Sequence, residues 1–90
     1  MLKKISDMCY TYRTQHTTFL LRKYGYGSYN MGTAWDLIVI VGIGNGHVIA
    51  RFATNDDRTG RMCESCEGNK IWAIEDMLEA ANTMIQIFET

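Results

Sequence analysis

Residues 2–23 read LKKISDMCYTYRTQHTTFLLRK, and whether this stretch is helix or strand decides the fold class. Apolar side chains fall at Leu2, Ile5, Met8, Tyr12, Phe19 and Leu20, close to a 3.6-residue period. Gln15 and His16 interrupt the apolar face. Gly25 lies where a helix of this length would need a left-handed terminal residue. The period therefore predicts an N-terminal helix. Two features pull the other way. Thr11, Thr14, Thr17 and Thr18 are β-branched and lose rotamer freedom in a helix. Met8, Tyr10 and Tyr12 alternate as a strand would. The expectation is a helix that turns to strand near 17–22.

The next stretch carries the strongest turn signals. Residues 24–34, YGYGSYNMGTA, combine three glycines with three tyrosines and read as loop or irregular strand. From Trp35 to Val41 the chain is apolar, broken only by Asp36. Ile38, Val39, Ile40 and Val41 favour a strand, and a continuous run suits one covered on both faces. Asn45-Gly46 separates this run from a second β-prone segment, His47 to Ala53. The pair predicts an antiparallel hairpin.

Residues 55–69 are polar and long for a plain connection. A short third strand at 61–63 would relieve that length. At the C-terminus, Ile71, Ile74, Leu78, Ala81, Ile85 and Phe88 form an amphipathic stripe, widened by Met77 and Met84. A helix over 70–89 follows, with Asn69 as N-cap and Glu75, Asp76 and Glu79 near its positive end. The alternative is a strand at 70–74 with the helix beginning near Glu75. The expected fold is a single α+β domain over 1–90. A β-hairpin or three-stranded sheet is packed by N- and C-terminal helices.

Ninety residues with 47% hydrophobic and 21% charged content support one small core and exclude large catalytic folds. The longest unbroken apolar run, Leu37 to Val41, is too short for a membrane span. Lys3 and Lys4 are followed by no apolar core, so no signal peptide is expected and the expected location is cytoplasmic. The net charge of −1 hides an asymmetry. Residues 1–30 hold five Lys/Arg against one acid, +4, and residues 31–90 hold four against nine, −5. Opposite halves attract, either within the fold or across a homodimer. A basic third can also meet an anionic partner, although a pI near 6.0 is unlike that of a typical DNA binder.

Candidate chemistry is sparse. Cys63 and Cys66 form one CxxC, which is half of a structural zinc site. Cys9, His16 and His47 match no ligand spacing that would complete it within the chain. Paired motifs from two chains could share one zinc. The Gly42-Ile-Gly-Asn-Gly46 segment lacks the spacing and the following helix of a dinucleotide loop, so a hairpin turn is expected there. No nucleophile lies beside either histidine, and no enzymatic activity is expected. The binding surface expected from sequence is Arg22, Lys23, Tyr24, Tyr26 and Tyr29. Tyrosines set among Gly, Ser and Asn give large contact area at low entropic cost.

In size and architecture the chain resembles the small α+β inhibitor proteins that phages and mobile elements use against host defence or host enzymes. That resemblance implies stoichiometric protein binding without catalysis. Two other function classes fit the residues. One is a zinc-stabilised nucleic-acid-binding module built on the CxxC and the basic first third. The other is an oligomer that encloses a small molecule such as a nucleotide.

Overall fold

A computed structural model describes residues 1–25, 33–54 and 66–90. Among these residues, six strands form one curled sheet, in the order of the sequence. They are β1 (Lys3–Ser6), β2 (Cys9–Arg13), β3 (Thr17–Gly25), β4 (Thr33–Val41), β5 (His47–Thr54) and β6 (Ile71–Trp72). Every neighbouring pair is antiparallel except β5 and β6, which are parallel. A 3₁₀ turn, Glu67–Asn69, precedes β6, and α1 (Ile74–Glu89) is the one α-helix among the described residues.

The expected N-terminal helix is therefore replaced by three strands, and the two-helix packing falls with it. Two short reversals break the segment where no glycine or proline marks them. At the first, the Met8 amide donates to Ser6 Oγ at 3.1 Å. At the second, Thr14 N donates to Thr17 O at 2.8 Å, and Thr17 N returns to Thr14 Oγ1 at 3.1 Å. Such side-chain bonds offer the backbone a turn in place of a helical hydrogen bond. Between the reversals, Tyr10 pairs with Leu21 and Tyr12 with Phe19. These four point to one face, so the true period is 2.

The expected hairpin is present as β4 and β5, inside the larger sheet. Its turn differs from an Asn-Gly reversal. The positive φ falls on Gly42 (63°) and not on Gly46. Gly46 is needed for space: a Cβ there would lie 2.7 Å from Ile38 Cγ2. A bulge between Leu37 and Ile38 leaves Ile49 as the extra residue of β5.

The C-terminal helix begins at Ile74, after a strand at Ile71–Trp72, as the alternative reading had it. Ala73, not Asn69, holds the N-cap position. The polar connection after β5 is long because a parallel neighbour cannot be reached by a tight turn. The third strand expected at 61–63 lies outside the described residues.

The core lies between the sheet's inner face and α1. Phe19, Leu21, Trp35, Leu37, Val39, Ala50 and Phe52 meet Met77, Ala81 and Ile85. Each large apolar side chain buried this way contributes roughly 1.5–3 kcal/mol before entropy is charged. Aromatic contacts tie the periphery to this centre. Phe19 meets Phe88 edge-on at 5.6 Å, and Phe52 meets Trp72 edge-on at 5.2 Å.

Among the described residues, the buried polar atoms Trp35 Nε1 and Thr54 Oγ1 have no hydrogen-bond partner. An unpaired buried hydroxyl costs about 1–3 kcal/mol. Thr54→Val keeps the shape and removes the hydroxyl, so it should raise Tm by roughly 4–8 °C per kcal/mol recovered. A thermal melt checks this, and a lowered Tm would count against an unpaired hydroxyl.

Candidate functional site

Strand alternation separates the residues expected to form one binding surface. Arg22 and Lys23 are consecutive on β3 and point to opposite faces. Arg22 lies across from Asp36 on β4 and from Cys9 on β2. Lys23 lies on the inner side, its Nζ 5.8 Å from the centre of the Trp35 ring. The two cations do not share a surface. The backbone of Tyr24 continues β3 opposite Ala34. Its side chain, and Tyr26 and Tyr29 entirely, lie outside the described residues.

The cysteine motif is described only in part. Cys66 is buried, and Cys63 lies outside the described residues. Among the described residues no three His, Cys, Asp or Glu side chains gather as a metal site. Cys9 is a free thiol on β2. Burial pushes its pKa up, and the Arg22 charge beside it offsets only part of that rise. Cys9 is therefore a thiol at neutral pH, not an activated nucleophile.

One ion pair escaped the sequence reading. Asp36 is 1% exposed on the outer face of β4. Arg51, opposite it on β5, donates Nε to Oδ1 at 2.6 Å and Nη2 to Oδ2 at 3.0 Å. This is a two-pronged guanidinium–carboxylate pair, and such geometry is the strong form of the interaction. The signal was the charge itself: one acid inside an otherwise apolar run needs a partner.

The outer face of the sheet is divided. At one end Ala34, Asp36 and Ala53 are buried. Toward the β4–β5 turn, Leu20, Ile38 and Ile40 are half-buried and Val48 is 49% exposed. Gly46 packs on Ile38 and Ile40 and covers one margin of them. None of these four outer-face residues is charged. They sit on three adjacent strands, opposite the face that α1 covers.

Among the described residues, two of the grooves beside α1 are large. One, about 480 Å³, lies toward β6 and includes Trp72, Asp76, Met84 and Ile87. Lys70 Nζ sits on the Trp72 ring there, 3.8 Å from its centre. The other, about 520 Å³, lies toward the N-terminus and includes Leu2, Leu78, Glu75 and Glu79. Both are shallow clefts beside an acidic helix ridge.

No protein family, curated protein or solved structure matches this chain. No helix among the described residues is long and apolar enough to cross a membrane.

Proposed function

We propose that this protein is a non-enzymatic protein-binding module that acts by stoichiometric occupation of a partner's surface. The supporting observation is the outer face of β3, β4 and β5. Leu20, Ile38, Ile40 and Val48 present aliphatic surface on the central strands of a sheet whose helix covers only the opposite face. A strand apolar on both faces is stabilised when both are covered. Among the described residues, Gly46 packs on Ile38 and Ile40 at one margin, and Val48 is 49% exposed. The partner that fits is another protein presenting an apolar, uncharged patch, because an unpaired charge buried here would cost several kcal/mol. This reading does not use the Arg22–Lys23 pair, whose side chains diverge.

Val48→Glu tests the proposal at a position that is 49% exposed. The expected result is a one-to-one complex captured by the wild type and lost by Val48→Glu, with unchanged circular dichroism. A charge change on the far side, Asp76→Lys, should leave that complex intact. Equal capture by wild type and Val48→Glu would place binding elsewhere.

A further inference from the structure

The acidic helix and the basic edge strand are neighbours with complementary chemistry. α1 carries Glu75, Asp76, Glu79 and Glu89 and no lysine or arginine. The cleft of about 520 Å³ on its N-terminal side has Leu2 and Leu78 in its wall and Glu75 and Glu79 on its rim. β1 borders that cleft: the Leu2 amide donates to Asn82 Oδ1 of α1 at 2.9 Å. β1 is also the edge of the sheet, and all four of its residues are exposed. It bears Lys3 and Lys4, followed by Ile5 at 62% and Met8 at 55% exposure. An edge strand offers unpaired backbone groups as well as its side chains.

We infer that a second copy of this chain docks here, with β1 of each protomer lying in the α1 cleft of the other. Ile5 and Met8 supply the apolar side chains that the Leu2–Leu78 wall lacks. The pleat sends Lys3 and Lys4 to opposite faces of β1. Lys3 meets Glu75 and Glu79 of the facing protomer, and Lys4, held by Asp7 of its own chain at 3.1 Å in a solvent-exposed pair, adds its charge beside them. Because strand and cleft adjoin, one two-fold axis along their border satisfies both contacts at once. This is the geometry of an isologous interface. The same contact places the two lysines of β1 against the acidic helix of the other chain. Opposite charge across an interface sets register and excludes wrong partners.

Light scattering across a concentration series reads the outcome. The wild type should reach twice the 10.3 kDa chain mass at high micromolar concentration, with Kd rising as salt screens the pairs. Glu75→Lys with Glu79→Lys should weaken association at least about tenfold, and so should Lys3→Glu with Lys4→Glu. All four positions are exposed, so circular dichroism should not change. An equimolar mixture of the two charge-reversed variants should recover the dimer, because each then offers what the other needs. A wild type that stays monomeric up to millimolar concentration would overturn the inference. So would a dimer that both reversals leave intact, or a mixture that fails to recover it. Val48→Glu should dimerise normally, which keeps this test separate from the outer-face binding test.

Discussion

Replacing Arg51 by methionine is expected to cost about 3 kcal/mol or more of stability, at the low end of what breaking a buried ion pair costs. Methionine keeps much of the apolar stem and removes the charge. The Asp36 carboxylate is then left 1% exposed on the outer face of β4, without its two-pronged partner. Arg22, across from Asp36 on β3, remains and limits the loss. The reciprocal change should cost less. In Asp36→Asn the arginine left behind is a third exposed and can turn toward water. Removing one charged hydrogen-bonding partner costs about 1.5–3 kcal/mol. Urea denaturation of both variants checks the order. An Asp36→Asn variant less stable than Arg51→Met would show that the carboxylate, and not its isolation, sets the cost.

Phe52→Ala is expected to be the most damaging core substitution, at about 3–5 kcal/mol. Phe52 is fully buried and lies beside Trp35 in the sheet register. Its ring also meets Trp72 edge-on at 5.2 Å. Trp72 lies on the two-residue β6, which has few other anchors: its indole donates to Glu67 O at 2.9 Å and it supports Lys70. Losing Phe52 therefore opens a cavity and loosens the sheet's parallel edge together. A domain of this size holds roughly 5–13 kcal/mol in all. The variant should show a Tm lower by at least about 12 °C and a red-shifted tryptophan emission. A Tm within a few degrees of wild type would mean that the site collapses around the missing ring.

Particular residues show how far the sequence could be read. The β4–β5 pair was legible because Ile38, Val39, Ile40 and Val41 form a run that no helix period explains. The C-terminal helix was legible from a stripe that repeats over several turns. Its centre shifts slightly, to Met77, Ala81 and Ile85, because β6 takes Ile71 into the sheet. Residues 2–23 misled for a specific reason. Each strand there is only four to nine residues long, and two hairpins break the alternation between them. Tyr12 and Phe19 face each other across a turn, seven residues apart, which mimics two helical turns. The reversals at Ser6 and Thr14 use hydroxyl hydrogen bonds, whose sequence signal is weak beside a glycine or proline.

The candidate site divides along the same line. Asp36 announced a partner by its composition, but only strand pairing could say that the partner is Arg51, fifteen residues away. Neighbours in sequence, Arg22 and Lys23, were separated by the pleat. By itself the sequence determined a single small core, a central antiparallel pair, an amphipathic C-terminal helix and an uneven charge distribution. Those are properties of local period and of totals, which survive any arrangement of the chain. The tertiary structure alone decided that residues 3–25 are sheet and that α1 covers one sheet face while Val48 stands exposed on the other. It also brought the basic strand beside the acidic helix. Those depend on which strands pair and in which register, and pairing is a relation between distant residues that no local window contains.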